Sequence, residues 1–202
     1  MSQATTGAPA RRGRPGYDLS TVLAISVEVF NERGFDGTSI DDLARRLKIS
    51  KSAIYHHVQS KDALLGLALD RALTGLEEVA TRVRSLDAPA IERLDALLRG
   101  SVAVLVERLP YVTLLVRVRG NSEVEQQALI RRRRLDRLVA DLVKQAAGDG
   151  DLRADIDPAV TARLLFGMVN SLTGWLKPGR GTSSVDLAEA VATVAFAGIR
   201  TS

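Results

Sequence analysis

Both histidines of the chain, His56 and His57, stand side by side in the stretch KISKSAIYHHVQSKD (residues 48–62), next to Tyr55. Two imidazoles in such a setting suggest a metal ligand pair, acid–base catalysis, or donation to an anion. Adjacent helical residues diverge by about 100°, so this pair does not converge on one ion as histidines at i and i+4 do. Between Lys48 and Lys61 there is no aspartate or glutamate to orient an imidazole or complete a ligand set. No nucleophile stands with a base elsewhere, and no Gly-rich loop opens a helix after a strand. The chain has no cysteine, which excludes disulfides, thiolate chemistry and Cys-type zinc sites. Neither an enzyme, a metal site nor a cofactor is therefore expected. What remains is a short segment of lysines, hydroxyls and imidazoles suited to a polyanion.

The elements that must carry this segment follow from caps and periodicity. From Leu19 apolar residues recur at helical spacing as far as Gly34, a natural stop. Thr38 or Ser39 can cap a second helix with Ile40, Leu43, Ala44 and Leu47 on its apolar face and Asp41 and Asp42 in its first turn. Ser50 can cap a third, very short helix to about Val58, and Ser60 a long amphipathic one from about Lys61 to Arg84. Within the short helix Ile54 and Val58 face inward at i and i+4. That leaves Lys51, Ser52, Ala53, Tyr55 and His56 facing outward, and gives His57 a packing role at the seam. Helix, three- or four-residue turn, short helix is the spacing of a helix-turn-helix, whose second helix enters the DNA major groove.

The rest of the chain is also helical in pattern. One helix ends near Pro110, and a short segment runs from Tyr111 to Arg119. A longer helix begins at Asn121 or Ser122 and stops at Gly148. Asp157 and Pro158 give a strong start to another, with Trp175 expected to pack at its end, and Ser183 or Ser184 caps the last. No strand alternation is evident. The fold class expected is all-α, with about nine helices. Apolar residues make up 46% of the 202, yet the longest uninterrupted apolar runs, such as VAVLV at 102–106, are far short of a membrane span. The basic N-terminus lacks an apolar segment behind it, so no secretory signal is read there and a cytoplasmic location is expected. Charge is uneven. Residues 1–61 carry nine Lys/Arg against six acids, and residues 1–17 have no acid at all. Positive charge gathered near the N-terminus fits nucleic acid.

Residues 19–65 resemble the N-terminal DNA-binding domain of the tetracycline-repressor (TetR) family. The matching features are F-x-E-R-G-F-D-G-T-S (30–39), I-D-D-L-A (40–44), S-K-S-A-I-Y-H-H (50–57) and S-K-D-A-L (60–64). Val58 departs from the pattern, where the family more often has Phe. The resemblance implies a dimeric transcription regulator, usually a repressor, released from DNA by a small molecule. By position it implies Thr38 and Ser39 at a phosphate, and Lys51, Ser52, Ala53, Tyr55 and His56 on the recognition surface. Lys61 would grip a further phosphate at the start of the fourth helix. The implied organisation is a flexible basic arm (1–16), a helix-turn-helix domain (17–65) and an effector-binding and dimerisation domain (66–202). In the arm, RRGRPG at 11–16 resembles the core of minor-groove AT-hooks. Arg11, Arg12 and Arg14 either enter a narrow groove or form a solvated tail.

The family resemblance also implies an apolar effector pocket among helices four to seven and a homodimer through the last two helices. Small residues Ala162, Gly167, Ser171 and Gly174 and the nearly uncharged VDLAEAVATVAFAGI suit such an interface. The block GDLRADIDPAVTARLLFGMVNSLTGWLKPGRG is similar to the subset of these regulators that respond to acyl-coenzyme A thioesters. That resemblance implies Arg117, Arg119, Arg131 and Arg134 at the coenzyme phosphates. Four consecutive arginines at 131–134 span more than a helical turn and cannot all face one ligand, so a solvated face paired with Glu123, Glu125, Asp136 or Asp141 is the competing account. The partners expected are double-stranded operator DNA, a small-molecule effector of acyl-CoA type and a second copy of the chain, with no membrane. The rival function is an architectural DNA-binding protein without an effector.

Overall fold

The computed structural model describes residues 18–153, 155–177 and 183–200. Among them nine α-helices follow in order: α1 (Leu19–Arg33), α2 (Ile40–Leu47), α3 (Lys51–His57), α4 (Lys61–Arg84), α5 (Ala90–Glu107), α6 (Leu109–Arg117), α7 (Glu123–Gly148), α8 (Pro158–Ser171) and α9 (Ser184–Ile199). A 3-10 turn, Leu172–Gly174, follows α8. The one extended pairing among these residues is an isolated bridge between Leu152 and Arg200. The arm residues Arg11, Arg12 and Arg14 lie outside the described residues.

The helix starts are set by short side chains that accept the otherwise unpaired backbone N–H groups of a first turn. Asp18 accepts from Thr21, Ser50 from Ala53, Ser60 from Ala63, Ser122 from Glu125 and Asp157 from Val160. At the α6 start the outcome differs from the expected break. Pro110 lies in the first turn of α6, which begins at Leu109. A first-turn proline loses no helical hydrogen bond, because the N–H it lacks would have had no acceptor.

The long α4 is the hub, packing against α1, α5, α6 and α7, while α5 also meets α9 and α7 also meets α8. One continuous apolar core runs from Val22 in α1 to Phe196 in α9. Where α5 crosses α4, a Cβ added at Gly100 would come within 2.5 Å of a Val79 methyl, so only glycine lets the helices approach this closely. Trp175 does not pack at the end of α8 as expected; it is 58% exposed. Val160 and Leu164 of α8 and Val185 and Val194 of α9 are likewise large apolar side chains in solvent.

Candidate nucleic-acid interface

The α2–α3 unit is built from inside outward. Leu43 and Leu47 of α2, Ile54 of α3 and Val58 just beyond it are buried in the core shared with Val22, Val27 and Phe30 of α1. Full burial of Ile54 is worth roughly 1.5–3 kcal/mol relative to exposure, which pins a helix of only two turns. The turn is closed by Lys48, the only non-glycine residue at positive φ among the described residues (φ 55°, ψ 40°). That conformation costs an L-residue about 1 kcal/mol, and it reverses the chain sharply enough to set α3 against α2.

With Ile54 fixed, the opposite side of α3 is committed to solvent. Lys51, Ser52, Tyr55 and His56 are exposed and Ala53 is half-buried. Tyr55 stands out most, at 51% exposure for a large aromatic. His56 and His57 meet edge to face with centroids 5.6 Å apart, and His57 is half-buried. No group of three or more His, Asp or Glu side chains among the described residues could hold a metal ion. The Lys51 ammonium pairs with Asp41 at 2.7 Å across the turn. Arg46 bonds Glu32 with both terminal nitrogens, and Arg45 pairs with Asp42.

Three expected phosphate contacts are placed differently. Thr38 is 2% exposed, and its hydroxyl donates to the Gly34 carbonyl at 2.7 Å. The hydroxyl therefore braces the α1–α2 loop and faces away from solvent. Ser39 is exposed but engaged in a reciprocal cap: the Asp42 N–H donates to Ser39 Oγ, and the Ser39 N–H donates to Asp42 Oδ2 at 2.9 Å. Those bonds from Ser39, with help from Arg45 and Arg33, hold the Asp42 carboxyl below the usual carboxylate range. Lys61 turns inward. Its ammonium donates to the carbonyls of Phe35 and Thr38, both at 2.9 Å, and sits 4.1 Å from the centre of the Phe35 ring. It clamps the loop that carries α2, a role invisible locally because its acceptors lie 23 and 26 residues upstream.

The four arginines expected at a ligand are also dispersed. Arg117 donates to the Asn31 carbonyl at 2.6 Å, while Asn31 Nδ2 donates to the Pro110 carbonyl at 2.8 Å. These bonds latch the end of α1 to α6. Arg117 and Arg119 border a 280 Å³ cavity at that seam, with Phe30, Phe35 and Leu65. The adjoining turn is held by Glu125, a buried carboxylate that accepts the N–H groups of Arg119, Gly120 and Asn121. Arg131 makes two bonds to Glu77 and one to Asp70, both on α4, and Arg134 is exposed. The carboxylates answering Arg131 are thus not the neighbours on its own helix that the sequence suggested.

Sequence reasoning weighed Arg132 and Arg133 only as part of the 131–134 run and missed Arg137 and Arg163, with which the structure groups them. Arg132, Arg133 and Arg137 of α7 and Arg163 of α8 border an open groove of about 590 Å³ between those helices. The i, i+4 spacing of Arg133 and Arg137 was the available signal, but only the packing of α8 gave it a partner.

Comparison with known proteins fits this arrangement. The family model described as "Tetracyclin repressor-like, C-terminal domain" matches residues 87–199, and "Bacterial regulatory proteins, tetR family" matches residues 22–68. The chain belongs to the TetR family. It is a DNA-binding transcriptional regulator and not an enzyme. Among similar TetR-family proteins, SCO3833 from Streptomyces coelicolor A3 superposes with a TM-score of 0.80 at 45% identity, covering 90% of this chain and 92% of its own. The transcriptional repressor Rv3405c of Mycobacterium tuberculosis is 35% identical, over 67% of this chain and 80% of its own. AibR, solved in complex with isovaleryl coenzyme A and operator DNA, is 26% identical with a TM-score of 0.72, covering 88% of this TetR-family chain and 97% of its own. No described helix is long and apolar enough to cross a membrane.

Proposed function

We propose that this protein is a homodimeric, cytoplasmic repressor of transcription. Two copies of α3 enter successive major grooves of a palindromic operator, and an acyl-CoA thioester bound to the C-terminal helices releases it. The supporting observation is the exposed face of α3: Lys51, Ser52, Ala53, Tyr55 and His56 on a rod held from behind by Ile54. Small side chains at 52 and 53 let the helix approach base edges, while the lysine, phenol and imidazole donate to bases or phosphates. Ser39 lies beside this face, and Arg11, Arg12 and Arg14 of the arm add a minor-groove or phosphate contact. Residues 17–65 form the reading domain and 66–202 the sensing and dimerising one.

The dimer is supported by the apolar side chains that α8 and α9 leave in solvent, because exposed patches of this kind mark association surfaces. Operator half-sites would then lie ~34–36 Å or a multiple apart. The acyl-CoA reading is supported by the ligand of AibR. An effector releases the operator only through unequal affinity for two states, and a coupling of about 1–3 kcal/mol weakens binding roughly 5–150-fold.

The deciding experiment is a Tyr55→Ala, His56→Ala double variant titrated against the operator by electrophoretic shift. Both side chains are exposed, so the helical circular dichroism signal stays unchanged while affinity falls at least about tenfold, one good base contact being worth roughly 1–3 kcal/mol. Parent-like operator affinity in the double variant would overturn the reading.

A further inference from the structure

The groove between α7 and α8 has an unusual charge state. Its rim carries Arg132, Arg133 and Arg137 from α7 and Arg163 from α8 against a single acid, Asp136. Several other surface arginines meet carboxylates: Arg45 with Asp42, Arg46 with Glu32, Arg99 with Asp95 and Glu189, Arg131 with Glu77, Arg153 with Asp155. None of the four rim arginines forms an ion pair or a hydrogen bond among the described residues, and Arg132 only feels the Asp136 charge. Four like charges gathered over one concavity repel one another, and an anion arriving there relieves that cost.

Beneath the rim the groove is apolar. Val139, Ala140, Ala162 and Phe166 form its floor. The floor stays open because three of the residues lining it, Ala140, Ala159 and Ala162, carry only a methyl group and Gly167 carries nothing. At about 590 Å³ it lies within the ~300–1,000 Å³ range of small-molecule sites. The chemistry is therefore two-part: guanidinium forks that match phosphate oxygens above a hydrocarbon surface. A free fatty acid has one charge for four arginines, and a free nucleotide has no chain for the floor.

We propose that this groove binds an acyl thioester of coenzyme A, its phosphates on Arg132, Arg133, Arg137 and Arg163 and its acyl chain along Phe166 and the alanines. This inference rests on the effector reading above and gives it a place. The adjacent Arg131 ties the same turn of α7 to Glu77 and Asp70 of α4, and α4 starts at the Lys61 clamp of the reading domain. A ligand that draws α7 toward α8 therefore pulls on the helix that positions α3.

Calorimetric titration of the full-length protein, without DNA, tests the site. The probes are isovaleryl-CoA and octanoyl-CoA, with free coenzyme A and octanoate as controls. The proposal expects one thioester or both to bind, and both controls to bind at least about tenfold more weakly. An Arg137→Gln, Arg163→Gln double variant should lose at least about tenfold in thioester affinity, whereas Arg134→Gln, on an exposed arginine outside the groove, should not. The proposal is overturned by any of four results: no thioester bound by the parent, a control bound as tightly, equal affinity in the double variant, or a double variant whose main defect is in binding duplex DNA. An electrophoretic shift on the same preparations keeps the two readings apart. Thioester binding by the parent that the double variant keeps refutes the groove alone. Absence of thioester binding by a parent that binds its operator refutes the effector reading with it, and failure of the parent to bind its operator refutes the regulator.

Discussion

Replacing Lys61 by methionine separates a structural clamp from a phosphate contact at the residue where the two accounts differ most. Methionine keeps the apolar stem and removes the ammonium, so the carbonyls of Phe35 and Thr38 each lose a charge-assisted donor at 2.9 Å and the Phe35 ring loses its cation. Two such bonds in a half-exposed position contribute about 1–1.5 kcal/mol each, below the ~1.5–3 kcal/mol of a charged donor because the ammonium keeps part of its hydration, and the ring contact about 0.5 kcal/mol. The loss is therefore about 3 kcal/mol. For a domain of this length each kcal/mol moves Tm by roughly 2–4 °C, so scanning calorimetry should show a fall of roughly 6–12 °C. Operator affinity should drop because α2 and α3 lose their fixed placement. The slope of log affinity against log salt should nevertheless stay where it was. A phosphate contact would behave oppositely: each one lost lowers that slope by about 0.9 with no change in Tm. A K61M protein with unaltered Tm and a shallower salt slope would refute the clamp.

Other outcomes follow from single contacts. Glu125→Ala strands the three N–H groups of the α6–α7 turn and should destabilise by about 2–4 kcal/mol in urea titrations; a loss under 1 kcal/mol would show that water replaces the carboxylate freely. The Glu77 carboxyl lies below its ordinary value of 4.5 because Arg131 donates to it. Its stabilising contribution is therefore complete above about pH 4.5 and disappears as pH falls through the lower folded value. Glu77→Gln should cost roughly 1 kcal/mol at pH 7, a deficit that shrinks as the pH falls below 4.5, and a deficit independent of pH would contradict this. Leu164→Glu places a charge on an α8 side chain that is 65% exposed in the single chain. Sedimentation should show dimer association weakened at least about 100-fold, and an unchanged dimer mass at micromolar concentration would place the interface elsewhere.

The helix starts were legible in the sequence because a cap is a local bond. Ser50, Ser60 and Asp157 each accept from a backbone N–H three residues on. The outward face of α3 was legible too, since burying Ile54 at the centre of seven residues leaves its neighbours few orientations. What could not be read was the direction of long side chains whose partners are distant. Arg131 finds Glu77 and Asp70, 54 and 61 residues away. The Thr38 hydroxyl turns into its own loop, and Arg117 reaches the end of α1 across 86 residues. A run such as RRRR announces its charge but not its sorting, which depends on the crossing of α7 over α4 and α8. Trp175 was misjudged for a related reason: an indole invites burial, but among the described residues of a single chain no element covers that end of α8.

That exposed indole has a practical consequence. Trp175 is the only tryptophan of the chain, so the protein's ultraviolet emission above 300 nm excited at 295 nm comes from one place. With no label added, a blue shift in that emission reports whatever next lies over the end of α8, and a quencher titration reports how completely it does so.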